Sequence, residues 1–502
     1  MNRKSNRARR IGGAAVCFGA ALAVAAGPAR AYDPATTHAG LTERAVLAST
    51  LHRVLVHRLS RPLGLFEPVP LRLSDLPEAE RDGLTARLGA LDPGTGYAPG
   101  PDGSASALAW VVAGSVVAQI PAERAQHFFY DPSRGAGLTD PGGLLPIGQG
   151  LRQMIDSGDG GFRGLATGTS FNMTGLPSTA WLTSDRNDVG LAAYYRELEV
   201  AVTGEDPGRR ATALARALLA LGGTLAVLED AGDPAHVRND FRGAYLGAGG
   251  SSPFDRGSPF ERFVAESYGR MGVPTAARPV SRPTVMAYIT GADGEGLADR
   301  TQRRFFSDGS LPEDSIVDRD TTPAEVMRDA RASLPYGLPR LPHLALAALG
   351  RRHYAYAPGE DGKPAPAEGK GRRLFAYERV PGRVHFFLDD AVYADTARAL
   401  LPEIGGYGAG LIDHLWRGEL QLEAKEGTVH VALADARGEV TGGQIRLYAE
   451  DAAGKRRAFA AVDPTAEGVS VEIPAGTRRI AAALRARDAA GELVAVAETP
   501  VR

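Results

Sequence analysis

Apolar residues recur along this chain with two different periods, and the change falls near residue 418. The clearest stretch runs from Pro207 to Asp230, where Leu214, Leu218, Leu221, Leu225 and Leu228 follow spacings of 4, 3, 4 and 3. That rhythm places them on one face of an α-helix. Weaker helical patterns cover residues 41–57, 106–117, 259–268, 323–332, 341–349 and 389–401. The Gly- and Pro-rich stretches at 92–104, 133–161, 247–257 and 357–371 read as loops.

Beyond residue 418 the period becomes two. Val429, Val431 and Leu433 alternate with small or polar residues, as do Ile445 and Leu447, then Val469, Val471 and Ile473, then Ile480, Ala482 and Leu484. Asp435-Ala-Arg-Gly438, Asp451-Ala-Ala-Gly454 and Asp488-Ala-Ala-Gly491 punctuate these runs. The repeated Asp-x-x-Gly is hairpin-turn chemistry, favoured here over a calcium loop. About seven short strands are predicted. The expected fold is therefore a mainly α helical bundle over residues 32–418, followed by an immunoglobulin-like β-sandwich over 419–502.

Composition narrows the function. Hydrophobic residues make up 44% and charged residues 23% of the 502, with a net charge of -2. These values fit a globular chain and exclude a strongly basic protein built to coat nucleic acid. The single cysteine, Cys17, excludes an internal disulfide and a Cys-based zinc site. The first residues carry Arg3, Lys4, Arg7, Arg9 and Arg10, then an apolar run over 11–27, then Ala29-Arg30-Ala31. This is the pattern of a secretory signal peptide over 1–31, cut after Ala31 to leave Tyr32 first. The run is shorter than the ~20 residues a membrane span needs, and no later run is read as a span. The expected location is periplasmic or extracellular.

Four places carry suggestive chemistry: His38, His127 within Gln126-His-Phe-Phe-Tyr-Asp-Pro132, the segment Asp230-Ala-Gly-Asp-Pro-Ala-His236, and Glu261. Singly, each reads as a packed ring, a turn or a helix cap. Together they offer neutral imidazoles and carboxylates from separate elements, which are the donors zinc takes.

On these residues the chain resembles the zinc-dependent phospholipase C and single-strand-specific nuclease superfamily. The resemblance rests on Thr37–Thr42, His127–Pro132, Leu228–Asp240 (LEDAGDPAHVRND) and Pro259–Val264, with further likeness over 297–307 and 407–418. It implies a helical bundle around a zinc site in which the N-terminal residue supplies amine and carbonyl ligands. Carried over residue by residue, it implies metal ligands at Tyr32, His38, His127, Asp230, His236 and Glu261. Asp230 and Glu261 are then also catalytic, and Arg238 or Arg242 steadies the phosphate.

The pattern is incomplete. A His expected at 226 is Ala226, one expected at 257 is Gly257, and an acidic ligand expected within 114–120 is missing. Glu123 or Asp92, and Asp240 or Asp255, are the substitutes at hand. With these gaps the resemblance implies one or two zinc ions and a phosphoester hydrolase of phospholipase C-like type. A phospholipid is the favoured substrate, nucleic acid is not, and the sandwich is expected to contact a cell or membrane surface. The gaps also leave open a non-catalytic exported binding protein on the same scaffold. N-terminal sequencing of the exported protein is expected to begin at Tyr32. A different start removes the amine ligand from consideration.

Overall fold

The computed structural model describes residues 34–120, 122–138, 175–240, 258–271, 278–318, 320–333, 351–357 and 371–501. The predicted signal peptide, Tyr32, Arg242, Asp255, Gly257 and the helix expected at 341–349 lie outside them. All described residues belong to one compact unit, Ala29–Asp140 with Asn172–Arg502. The helices that place the site are α1 (Ala39–Ala48), α2 (Ala107–Val117), α3 (Leu191–Thr203), α4 (Pro207–Asp230), α5 (Pro259–Ser267) and α6 (Asp390–Leu415).

Helix α4 is the axis of the helical part. Its start is set by Asp206, whose side chain accepts the N–H groups of Gly208 and Arg209, with Pro207 in the first turn. All five leucines of the predicted stripe are buried, but so are Ala217, Ala220, Gly222, Gly223 and Ala226. The helix is apolar nearly all round because α2, α3 and α6 pack about it. By length and composition alone α4 could cross a membrane, a property the sequence reading did not credit to any later run; here it is buried inside the fold. Glycine permits the closest approach. A Cβ on Gly222 would lie 1.9 Å from the Val111 carbonyl oxygen, and one on Gly114 would lie 2.0 Å from that of Leu219. Helices α2 and α4 therefore meet backbone to backbone.

The region up to residue 418 also contains strands that the helical reading missed. Besides the short pair β1 (Pro68–Pro70) and β2 (Ser104–Ser106), it holds β3 (Ser315–Ile316), β4 (Arg352–Tyr356), β5 (Arg373–Val380) and β6 (Arg383–Phe387). The last four form an antiparallel sheet in the order β3-β6-β5-β4. Gly382, at φ +81°, makes the tight turn between β5 and β6. Phe375, Tyr377, Val384 and Phe386 cluster with Phe306, Val326 and Ala330 in a small core of their own.

Strands β7 (Glu419–Lys425), β8 (Thr428–Ala434), β9 (Ile445–Glu450), β10 (Arg456–Val462), β11 (Val469–Glu472), β12 (Arg479–Asp488) and β13 (Gly491–Pro500) make two facing sheets. Their orders are β10-β9-β12-β13 and β11-β8-β7. The predicted alternating residues Val429, Val431, Leu433, Ile445, Leu447, Ile480, Ala482 and Leu484 fill the space between them. The Asp-x-x-Gly segments are turns: Asp451 accepts the N–H groups of Ala453 and Lys455. Asp488 accepts that of Ala490 but also takes both ends of the Arg417 guanidinium, at 3.1 and 3.0 Å.

The larger sheet is buried on both faces. Tyr448, Ala481, Ala483, Val494 and Val496 join the same apolar cluster as the helices. Arg456 reaches across to the Val202 carbonyl while pairing with Glu450 and Glu498 at 2.7 Å each. The sandwich is thus seated on α3 by small apolar residues and a buried ion network.

The α2–α4 contact is testable. Gly222→Ala is expected to destabilise the protein by roughly 1–3 kcal/mol or more, since the backbone it meets cannot give way. Gly83→Ala, at an exposed position of the helix Glu78–Leu88 where the new Cβ meets nothing within 4 Å, is expected to gain ~0.5–1 kcal/mol. Denaturant unfolding distinguishes them, and equal effects would contradict the close crossing.

Candidate metal centre

Helix α4 ends on Glu229 and Asp230, both inaccessible to solvent. A helix C-terminus already carries partial negative charge, so two buried carboxylates there require donors close by. Three elements provide them. His38, at the end of a π-helical turn (Pro34–His38) that leads into α1, places Nδ1 2.5 Å from Glu229 Oε2 and Nε2 3.2 Å from Asp230 Oδ1. Thr42, one turn into α1, donates to Glu229 Oε1 at 2.6 Å. Gln119, just beyond α2, donates through Nε2 to Asp230 Oδ2 at 3.1 Å.

The chain then turns sharply. Asp233 Oδ1 accepts the N–H groups of Ala235 and His236 at 2.6 and 3.2 Å, an Asx-type turn that brings His236 back toward the helix end. Its Nδ1 lies 3.3 Å from the Phe128 carbonyl, and the ring stacks on Phe129 with centroids 4.0 Å apart. Nε2 lies 3.4 Å from Glu261 Oε1. Glu261 sits in the first turn of α5 and closes a capping box: it accepts from Ser258 N–H through Oε2, while its own N–H donates to Ser258 Oγ at 3.1 Å. The cap and the imidazole partner are two oxygens of one carboxylate.

The result is a dry cluster of four carboxylates, Glu229, Asp230, Asp233 and Glu261, against two imidazoles. Burial drives Glu229, Asp233 and Glu261 above the usual carboxylate range, and like-charge repulsion adds to it, from Asp230 on all three and from Glu261 on Asp233. Burial alone would lower both histidines. The carboxylates outweigh it, with Asp230 first in each case, and raise His38 to about 10 and His236 to about 9. Asp230 Oδ1, Asp233 Oδ2 and Glu261 Oε1 nevertheless receive no directed hydrogen bond. Three carboxylate oxygens of the cluster are thus left with unfilled lone pairs.

The other expected residues are placed differently. His127 lies in the 3-10 segment Ala122–Phe128, where Nδ1 accepts from Leu176 N–H at 2.9 Å and the ring stacks on Trp181 at 4.3 Å. Burial and the Arg186 and Arg124 charges lower it to about 4. Cations already surround this imidazole, so its setting is the reverse of that at His236. The Arg238 guanidinium is not held for a phosphate: it donates to the backbone carbonyls of Gln302 and Phe305. Asp92 accepts from Gly94 N–H in an exposed turn, and Asp240 accepts from Gly309 N–H at 2.6 Å. The side chain of Glu123, like Tyr32, Arg242, Asp255 and Gly257, is outside the described residues.

Sequence reasoning brought His38, Asp230, His236 and Glu261 to notice, and all four meet here. It missed Glu229, Asp233, Thr42 and Gln119. Glu229 and Asp233 stood within LEDAGDPAH and were legible as acids at the end of an otherwise apolar helix; a neutral Gln119 gave no signal.

The donor set is right in kind for a divalent cation, since imidazole nitrogen and carboxylate oxygen are zinc ligands and three buried oxygens lack donors. Among the described residues, no group of three His, Cys, Asp or Glu side chains is already arranged to hold one ion. Replacing Glu229 tests the cluster itself. Glu229→Ala strands the His38 ring and the Thr42 hydroxyl and is expected to cost about 3–5 kcal/mol in urea unfolding. Glu78→Ala, an exposed carboxylate, is expected to stay within ~0.5 kcal/mol. Similar small effects at both would show that the buried pair is not formed.

No protein-family model and no curated protein matches this chain. Among solved structures it is similar to the alpha toxin of Clostridium absonum, at 11% identity and a TM-score of 0.26, over 94% of this chain and 95% of that one. It is similar also to the alpha-toxin of Clostridium perfringens from avian strain SWCP, at 10% identity and a TM-score of 0.26, over 94% of this chain and 100% of that one. At such scores nothing is carried over from them to the fold or chemistry of this chain.

Proposed function

We propose that this chain is an exported, metal-dependent phosphoester hydrolase of phospholipase C-like type, working with a reduced site of one or two zinc ions. One observation carries the reading. His38, Asp230, His236 and Glu261, named as ligands by sequence resemblance and drawn from three separate segments, pack into one buried cluster in which three carboxylate oxygens receive no hydrogen bond.

Asp230, His236 and Glu261, with Asp233 beside them, are the side chains with oxygen or nitrogen to offer an ion. A bound zinc supplies two things: it polarises a phosphoryl oxygen and lowers the pKa of a bound water. The chain's own groups position the donors. Glu229 holds Nδ1 of His38, Phe129 fixes the plane of His236, and the Ser258 cap fixes one oxygen of Glu261 while leaving the other toward His236. Such outer contacts orient ligands and tune their basicity. A phospholipid is the proposed substrate, with the sandwich contacting the lipid surface.

The second reading, a non-catalytic exported binding protein, is favoured by a specific feature. Ala226, where the resemblance calls for a ligand, is fully buried apolar core. Activity separates the two. The mature protein with Zn(II) is expected to hydrolyse phosphatidylcholine vesicles or a chromogenic phosphodiester. His236→Ala should lower that rate by about 100-fold or more, because it removes a proposed metal ligand. His127→Ala should change it by less than about threefold. Zinc bound without hydrolysis supports the binding protein, and equal losses at His236 and His127 would contradict the assignment of ligands.

A further inference from the structure

The side chain beside Asp230 that no ligand pattern anticipates is Gln119. Its amide is completely buried, with Nε2 2.9 Å from His38 Nε2 and 3.1 Å from Asp230 Oδ2. An ionised Asp230 only accepts, so the amide nitrogen must face it; that nitrogen carries two hydrogens and no lone pair to give. Its second hydrogen is within reach of His38 Nε2, which accepts it in the tautomer that carries the ring proton on Nδ1. In that tautomer His38 presents its lone pair at Nε2 and directs the Nδ1 proton toward Glu229.

A cation held by His38 and Asp230 needs that same Nε2 position, while of the two Asp230 oxygens the amide takes Oδ2 and leaves Oδ1. Imidazole has a single in-plane lone pair at each unprotonated nitrogen, so the amide hydrogen and an ion exclude one another. Gln119 Oε1 is itself buried without a hydrogen-bond partner, so the carboxamide is held by its nitrogen end alone.

We infer that Gln119 is an internal plug: its amide occupies the His38 Nε2 position and one Asp230 oxygen, and an ion is coordinated by His38 Nε2 only when the carboxamide is displaced. The inference rests on the cation reading of the cluster. It adds that this half of the site is closed by the chain itself, whereas the His236–Glu261 half, which Gln119 does not touch in any described contact, is open to an ion. A site built this way favours binding at His236 and Glu261 first.

The test is Zn(II) affinity of the mature full-length protein, measured by competition with a chromophoric chelator, with the visible spectrum of the Co(II) form as a second readout. Gln119→Ala removes the plug, and Gln119→Met removes the donor while keeping most of the volume. Both are expected to add a Zn(II) equivalent or raise affinity at least about tenfold, or ~1.4 kcal/mol. Co(II) absorption should intensify as a nitrogen ligand is gained. Adding His38→Gln to either variant should erase the gain. Unchanged affinity in both variants, with wild-type binding that is lost in His236→Ala, overturns the plug and leaves the metal reading standing. No binding by wild type or either variant overturns both.

Discussion

Four carboxylates buried against two imidazoles at the end of an apolar helix set the terms for the rest of this structure. Each buried, ionised oxygen without a donor is costly, and the negative end of the α4 dipole adds to the burden at Glu229 and Asp230. The surrounding chain is arranged to supply donors: His38 and Thr42 from the start of α1, Gln119 from the end of α2, and backbone N–H groups to Asp233 and Glu261. The glycine crossing of α2 on α4 matters for this reason. It brings the two helices to backbone contact, which fixes where Gln119 stands relative to Asp230.

The histidines of these motifs occupy two kinds of surroundings. His38 and His236 sit among carboxylates, while His127 sits between arginines and an indole ring. All three belong to the motifs that suggested a metal, yet only the first two occupy an environment that attracts a cation. The sandwich bears on this indirectly. Arg417–Asp488 and the Arg456 network tie it to α3 and to the end of α6, so any surface it engages is held in a fixed orientation to the helical part.

What was legible in the sequence follows from which constraints are local. The leucine spacing of α4 and the alternation of Val429, Val431 and Leu433 report local periods, and both elements were readable. The β4–β6 sheet was not, because Arg352-His-Tyr-Ala-Tyr356 and Arg373–Val380 mix aromatic, charged and small residues on both faces. Glu261 was legible as a cap, which it is, and its second carboxylate oxygen lies beside His236. Gln119 depends on a contact between helices about a hundred residues apart in sequence, and a neutral amide leaves no charge pattern to find it by. Asp488 was read as a turn residue, and it is one, but its partnership with Arg417 comes from the docking of the sandwich.

The central claim is that this cluster is completed by a cation and not by protons alone. Elemental mass spectrometry of the mature protein, purified without chelator and paired with its melting temperature before and after chelation, tests it most directly. The account predicts one or two tightly held divalent ions per chain, with melting that falls on chelation and recovers with Zn(II), because a ligand that binds only the folded state stabilises it. Protein free of divalent metal, melting at the same temperature with chelator or with added Zn(II), would contradict it.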